Sequence, residues 1–432
     1  LARERQVLLQ GGTVVDATGS RRADVLVKGE VVSAVEPGLG GLGGPGMVVL
    51  DAEGCIVAPG LVDLHSHLRE PGAEEAETIE TGARAAALGG YTAIVAMPNT
   101  QPAADSAAVV RQVLELAKGA CCDVRPAGSI TVGREGKMLA PMAEMAALGV
   151  RIFTDDGNCV QDASVMRRAL EYASGLGVVI ADHCEEPTLS AAGWMNEGEL
   201  SSLLGLPGRP AVSEEIIVRR DIALARLTGA RLHLLHLSSA LAVQAVREAK
   251  ADGVALTAEV APHHLVLTED EVRSYDPVFK VNPPLRTTTD LAALLAGLVD
   301  GTIDAIATDH APHPPEAKQV AFSEAAPGMV GLETAVAIAL GDIGLPAERV
   351  LALMSWQPAA IAGLSGLHGG PVVPGAPANL CVIDPARRWT VVPAALASRS
   401  HNTPFAGREL TGKVRHTIFA GEPVVIAEEA QR

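Results

Sequence analysis

The chain reads as a mixed α/β protein with a (β/α)8 barrel in its middle and a small β domain built from its two ends. Three observations predict this. Eight strand-like apolar runs alternate with helix-forming material between residues 56 and 368. Both ends carry short apolar segments punctuated by glycine turns. His and Asp residues recur where the middle runs stop, and in such a barrel the C-terminal strand ends converge on one site.

The N-terminal part, residues 1–55, opens with Val7-Leu8-Leu9-Gln10, a Gly11-Gly12 turn and Thr13-Val14-Val15-Asp16. Asp24–Lys28 and Val31–Val35 flank Gly29-Glu30, which predicts a hairpin. Gly38–Gly46 reads as a mobile glycine-rich loop. The eight middle runs are 56–64, 91–97, 124–131, 150–155, 178–182, 231–237, 255–260 and 305–308. Segments between them, such as Glu75–Leu88 and Leu291–Leu298, have helix-forming composition. The C-terminal part, residues 369–432, returns to strands at Asn379–Asp384, Trp389–Val392 and His416–Gly421, so the two ends pair into one domain. A doubly wound open sheet is the alternative architecture. No G-x-G-x-x-G follows a strand, which argues against a dinucleotide site.

A net charge of −17 argues against nonspecific nucleic-acid binding. No run of 18 apolar residues suggests a membrane span, and Leu1–Gly12 lacks a secretory apolar core. The six cysteines form no C-x-x-C pair or disulfide framework, which fits free thiols in the cytoplasm.

The chemistry sits at the strand ends. Asp63-Leu64-His65-Ser66-His67-Leu68-Arg69-Glu70-Pro71-Gly72 follows an apolar run. Residues two apart in a strand share a face, so His65 and His67 aim together at one metal ion. Further strand ends carry Met97-Pro98-Asn99-Thr100, Asp155-Asp156, Asp182-His183-Cys184-Glu185, His236 and Asp309-His310-Ala311-Pro312-His313. His236 lies nearer its strand end than His233, which has the opposite parity and faces the outer helices. Asp155 and Asp156 compete for one role, and either suits a helix N-cap. His263 and His264 suit support behind the ligands; His310, His368, His401 and His416 stay unassigned. This ligand count suits two ions sharing one carboxylate better than a single ion with three protein ligands.

Together with Phe153-Thr154-Asp155-Asp156-Gly157, Val281-Asn282-Pro283-Pro284-Leu285-Arg286 and Ala307–His313 followed by Lys318, these motifs resemble bacterial class I dihydroorotases of the amidohydrolase superfamily over nearly the whole chain. Ser66 departs from the aliphatic residue usual between the two histidines. The resemblance implies a TIM barrel of amidohydrolase type spanning 56–368 and a small β-sandwich domain from 1–55 and 369–432. It implies two zinc ions per chain: His65, His67 and Asp309 on the first, His183 and His236 on the second, with Asp156 bridging. Arg69, Asn99 and His313 would hold the substrate carboxylate, and Asn282 the ring amide edge. The implied reaction is reversible cyclisation of N-carbamoyl-L-aspartate to L-dihydroorotate plus water in pyrimidine biosynthesis. In the hydrolytic direction a zinc-bridging hydroxide attacks, with Asp309 as the catalytic acid/base. The resemblance further implies a homo-oligomer and leaves association with aspartate carbamoyltransferase open, and 314–328 reads as a lid.

Two rivals differ in class. Hydantoinases, dihydropyrimidinases and allantoinases bridge their metals with a carboxylated lysine at the fourth strand end, where this chain has Asp155-Asp156; Lys137 is poorly placed for that. Non-catalytic dihydroorotase-like partners of the transferase have lost ligands that this chain retains.

Overall fold

A computed structural model describes residues 6–42 and 46–432. Within Gly38–Gly46, Leu39–Leu42 forms a 3-10 turn with Leu39 buried, while residues 43–45 lie outside the described residues.

The two chain ends build two sheets. Val31–Glu36, Asp24–Lys28, Gln6–Gln10 and Met47–Asp51 lie side by side in one, including the antiparallel hairpin expected at Gly29-Glu30. The other joins Thr13–Asp16, Gly19–Arg22 and Ile56–Pro59 from the front of the chain to Leu380–Thr390, Glu409–Phe419 and Glu422–Ile426 from the back. Val7, Leu9, Val25 and Val27 of the first sheet share a core with Val14, Val57, Leu380, Val382 and Ile418 of the second. These are alternate positions along each strand, which is why a period of two buries one face.

The run read as one strand over 56–64 divides at Gly60. Ile56–Pro59 pairs with Leu380–Ile383 in the terminal sheet, whereas Leu61–Ser66 pairs with Tyr91–Ala96 in a parallel ladder. Gly60 makes the transfer possible, because a Cβ there would lie 2.2 Å from the Thr92 side chain. Pro59 lacks an N–H with which to continue a ladder.

The middle of the chain forms two parallel ladders. One orders Asp123–Pro126, Tyr91–Ala96 and Leu61–Ser66; the other orders Ile152–Phe153, Val179–Asp182, Arg231–Leu234, Leu256–Val260 and Ala305–Ile306. Single parallel bridges, Gly128 to Phe153 and Ser66 to His310, link them at both seams. All eight expected runs therefore contain strands, mostly shorter at the C-terminal end, where the chain turns off to present side chains.

Helices pack outside these ladders. In Ala163–Leu176, Asp162 caps the start by accepting from the Ser164 and Val165 N–H groups, and Gly177 closes the end with φ 68°. Met166, Ala169, Leu170 and Ala173 form its buried stripe against Phe153 and Ile180. No helix among the described residues is long and apolar enough to cross a membrane.

Candidate metal centre and substrate pocket

His65 is the penultimate residue of its strand, and His67 stands just past the strand end, its N–H bonded to the His310 carbonyl at 2.8 Å. Between them, Ser66 donates its hydroxyl to Asp63. Asp63 is buried and accepts from the Thr308 N–H and hydroxyl, both at 2.7 Å. This ties the strand carrying His65 to the loop carrying Asp309.

Asp156 occupies the centre of the cluster. Its Oδ2 lies 3.4 Å from His65 Nε2 and 3.5 Å from His67 Nε2. Its Oδ1 lies 3.6 Å from His183 Nδ1 and 3.5 Å from His236 Nε2. Asp309 Oδ1 completes the first set, 3.6 Å from His65 Nε2 and 3.4 Å from His67 Nε2. One carboxylate thus offers a separate oxygen to each histidine pair.

These groups fit metal ions. Ligands at ~2.1 Å in a tetrahedron stand about 3.4 Å apart, the spacing seen around Asp156 and Asp309; His183 Nδ1 and His236 Nε2 are closer to each other, at 2.9 Å. His65 Nε2 and Asp156 Oδ1 are buried without a hydrogen-bond partner, although such groups are normally satisfied. Imidazole and carboxylate ligands suit zinc. His65, His67 and Asp309 form one potential ion-holding group, and His65, Asp156 and His236 another.

Asp155 is neither a ligand in this cluster nor the expected N-cap. Its carboxylate accepts from the Ile130 and Thr131 N–H groups and the Thr131 hydroxyl, fixing the neighbouring loop, and Asp162 caps the helix instead. His233 also differs from expectation: its ring is buried beside the centre and does not face outer helices. Its Nε2 is 3.0 Å from Glu259 Oε2, and its Nδ1 is 2.8 Å from the Thr257 hydroxyl. Glu259 Oε1 lies 2.9 Å from His65 Nδ1, so one carboxylate holds both rings. Burial pushes Glu259 up, but its bonds to His233 and His65 outweigh this and bring its pKa to about 2. Glu259 went unrecognised in the sequence; its signal was a charged residue inside the apolar run Leu256–Val260. The His263 Nε2 stands 3.9 Å from Asp309 Oδ2, and the His264 Nε2 donates to the Pro283 carbonyl at 3.0 Å. Both rings back the cluster. Three of the four unassigned histidines hold structure: His310 by Glu77, His368 between Thr92 and Asp123, and His416 on the Asp51 carbonyl.

A cavity of about 220 Å³ opens beside the centre. Arg69, Asn99, Asn282 and His313 all line it, with His67, Asp156, His183, His236 and Asp309. Arg69 lies beyond the strand. The strand ends at Ser66, and Arg69 reaches the cavity through a backbone turn with φ 62°. Its Nε donates to the Pro312 carbonyl at 3.2 Å. Burial pushes its guanidinium down to about 10, leaving it charged at neutral pH. His313 Nε2 donates to the Pro327 carbonyl at 2.9 Å; burial first, then Arg69, lowers its pKa to about 3. Asn99 Oδ1 accepts from His67 Nδ1 at 2.9 Å. Asn282 Nδ2 donates to Glu185 Oε2 at 3.2 Å, while its Oδ1 accepts from Arg209. Burial opposes ionisation of Asp309, yet its bond to His67 and the charges of His65 and His236 hold the carboxyl well below its usual range.

Comparison with known proteins places this arrangement in a family. A Dihydro-orotase-like family model matches residues 54–241. A dihydroorotase from Streptomyces coelicolor is 51% identical over 428 residues, covering 98% of each chain. One from Mycobacterium leprae is 50% identical over 409 residues, 93% of this chain and 94% of the relative. Among solved structures, the L-hydantoinase (dihydropyrimidinase) of Arthrobacter aurescens superposes with a TM-score of 0.88 at 25% identity, covering 99% of this chain and 97% of its own. The Brevibacillus agri dihydropyrimidinase gives 0.85 at 24% identity, covering 99% and 96%, and shares the fold. With half its residues identical to curated relatives over nearly its whole length, the chain belongs to the dihydroorotase family.

Proposed function

We propose that this chain is a class I dihydroorotase holding two zinc ions, which interconverts N-carbamoyl-L-aspartate with L-dihydroorotate plus water. The observation carrying this reading is the Asp156 carboxylate divided between two histidine pairs, beside a pocket whose charged group is Arg69. His65, His67 and Asp309 hold the first ion, His183 and His236 the second, and Asp156 both. Bound zinc supplies Lewis-acid polarisation and a water of lowered pKa. Arg69 pairs with the carboxylate that persists in the ring, aided by Asn99 and His313, and Asn282 orients the ring amide edge. Asp309 is ionised at neutral pH and is the catalytic residue. It accepts the proton of the attacking water and returns it to the departing ring nitrogen; cyclisation reverses these transfers.

The fold we assign is a closed amidohydrolase-type (β/α)8 barrel over 56–368 with a sandwich domain from 1–55 and 369–432. The seam bridges Gly128–Phe153 and Ser66–His310 support closure. All six cysteines are free, in keeping with a cytoplasmic enzyme. Homo-oligomerisation and docking on aspartate carbamoyltransferase complete the proposal; sizing the chain alone and with the transferase tests both. A hydantoinase-type bridge needs a lysine, and none lines the cavity.

The deciding experiment compares substrates. Dihydrouracil has the dihydroorotate ring without its carboxylate, so it leaves Arg69 half-buried without a carboxylate partner. We expect kcat/KM for dihydroorotate to exceed that for dihydrouracil by roughly 10⁴-fold. Arg69→Met should collapse the ratio by impairing dihydroorotate alone. Equal kcat/KM values in the unaltered protein would reject the assignment.

A further inference from the structure

Residues 397–403 run between the 3-10 turn Pro393–Ala395 and the strand Glu409–Phe419 without regular secondary structure of their own. Burial alternates along them: Ser398, Ser400 and Asn402 are buried, whereas Arg399 and His401 are exposed. A period of two is that of an extended chain, whose alternate residues face one side. The inward face is polar, and each of its three side chains is bonded. Ser398 donates its hydroxyl to Glu77, which also accepts from the Arg399 N–H at 3.0 Å. Ser400 donates to the Ala76 carbonyl at 2.7 Å. Asn402 donates to the Ala311 and Gly328 carbonyls at 3.0 and 3.1 Å and accepts from the His313 N–H at 3.1 Å.

These partners belong to the two segments that carry Arg69 and His313. Ala76 and Glu77 close the turns that follow Arg69: the Ala73 N–H bonds to the Arg69 carbonyl at 3.2 Å, and the Ala76 N–H to the Ala73 carbonyl at 3.0 Å. Gly328 lies against the His313 ring, since a Cβ there would be 2.9 Å from His313 Nε2. Asn402 therefore holds His313 twice, by its backbone N–H and through the glycine against which its ring rests. An amide side chain offers one oxygen and two N–H donors, and all three groups are used. The main chain of Asn402 is fixed as well, its carbonyl accepting from the Val330 N–H at 3.2 Å. Asn402 does not line the substrate cavity, whereas His313 and Gly328 do. It reaches a ligand only through them.

We propose that residues 397–403 form a strap from the C-terminal part of the chain that sets the geometry of carboxylate recognition, with Asn402 a positioning residue acting through His313. The proposal rests on the dihydroorotase reading, in which His313 pairs with the ring carboxylate beside Arg69. Hydrogen bonds weaken steeply as they bend, so a His313 free to swing would lose its hold on that group. The bond that fixes its backbone comes from a residue 89 positions further along the chain. The strap bonds to none of the six proposed zinc ligands among the described residues; its partners are Ala76, Glu77, Ala311, His313, Gly328 and the neighbours of these. Substrate selection and metal retention are thereby held by different parts of the chain.

The test is a double-mutant cycle on the zinc-loaded protein. Asn402→Ala should raise KM for dihydroorotate about tenfold, the effect of losing one hydrogen bond to a charged group. Its kcat should change less than about twofold, because the carboxylate is held alike in ground and transition states. For dihydrouracil, which has no carboxylate, kcat/KM should also change less than about twofold. Elemental analysis should find the zinc content of the unaltered protein. In a His313→Ala background, Asn402→Ala should add less than about a further twofold, since its route to the ligand is gone. Asn402→Ser keeps one hydrogen-bonding oxygen and should lose less; it carries the same comparisons if the alanine variant does not fold. Equal losses on both substrates, loss of zinc, effects that multiply with those of His313→Ala, or an unchanged KM for dihydroorotate would each overturn the proposal. Failure of the unaltered protein to hydrolyse dihydroorotate would reject the underlying assignment instead.

Discussion

Asp156 is shared by both halves of the cluster, its two oxygens facing different histidine pairs. Asp156→Ala should leave the protein with less than one zinc by elemental analysis. Its neighbour Asp155 faces the loop at Ile130 and Thr131, so Asp155→Ala should retain near two zinc ions while losing stability. The reverse ranking would mean the wrong aspartate bridges. Glu259 acts one step further out. By accepting from His65 Nδ1 it keeps the Nε2 lone pair of that ring facing Asp156, and by accepting from His233 it fixes its own orientation. Glu259→Ala should weaken zinc retention in a chelator competition by about 10–100-fold. Glu259→Gln, which still offers an oxygen to His65, should lose less.

At the scale of elements, the segment 314–328 was expected to be a lid, and its attachments show what holds it. The Lys318 ammonium is buried and donates to the carbonyls of Lys280, Ala326 and Gly328 at 3.2, 2.9 and 3.1 Å. An ammonium has three N–H donors, so all three are used. Gly328 and Pro327 form one wall of the substrate cavity, and Lys280 precedes Asn282 by two residues. Lys318 therefore fastens the segment to the strip of chain that carries Asn282. Asn402, from the C-terminal part, adds bonds to the Ala311 and Gly328 carbonyls at 3.0 and 3.1 Å. Lys318→Met removes three hydrogen bonds, each worth about 1 kcal/mol. Amide exchange of a peptide covering 314–330 should accelerate at least about tenfold, an effect within that energy, while zinc content holds. Unchanged exchange would show that the bonds from Asn402, His313 and the Gly328 N–H keep the wall in place without Lys318.

Across the whole molecule, segments far apart in the chain are joined through partly buried polar contacts as well as apolar ones. Glu333 accepts from the Ala397 N–H at 2.8 Å, linking the segment before Ala335–Gly341 to the return of the chain. Burial raises the Glu333 carboxyl to about 7, with nearby Glu77 reinforcing this and Lys413 and the backbone donors opposing it. A carboxyl raised above its unfolded value binds an extra proton in the folded state. Its stabilising contribution is complete below the ordinary 4.5 and is lost as pH rises through about 7. Melting temperatures of Glu333→Gln and the unaltered protein should therefore diverge between pH 5 and 8, on either side of that titration. The variant should gain relative stability as pH rises. A constant difference across that range would remove Glu333 as the source.

Spacing in the sequence was enough to place the motifs that hold chemistry. Strand parity put His65 and His67 together, because the pleat repeats every two residues whatever surrounds it. Short apolar segments punctuated by glycine turns located strands at both chain ends, and eight apolar runs located eight parallel strands. The family motifs carried the remaining candidates into one cavity. Other features depended on contacts between residues far apart in sequence. The division of 56–64 at Gly60 follows from which strand each half meets, the terminal sheet or the ladder. His233 and Glu259 form a support only because their strands are neighbours, and neither residue marks the other in the sequence. The choice between Asp155 and Asp156 turns on a loop whose direction is set by Thr131, 25 residues before Asp156. Local propensity fixes which side chains share a face. Only the packed structure decides which faces meet, and so which polar groups are left facing one another without water.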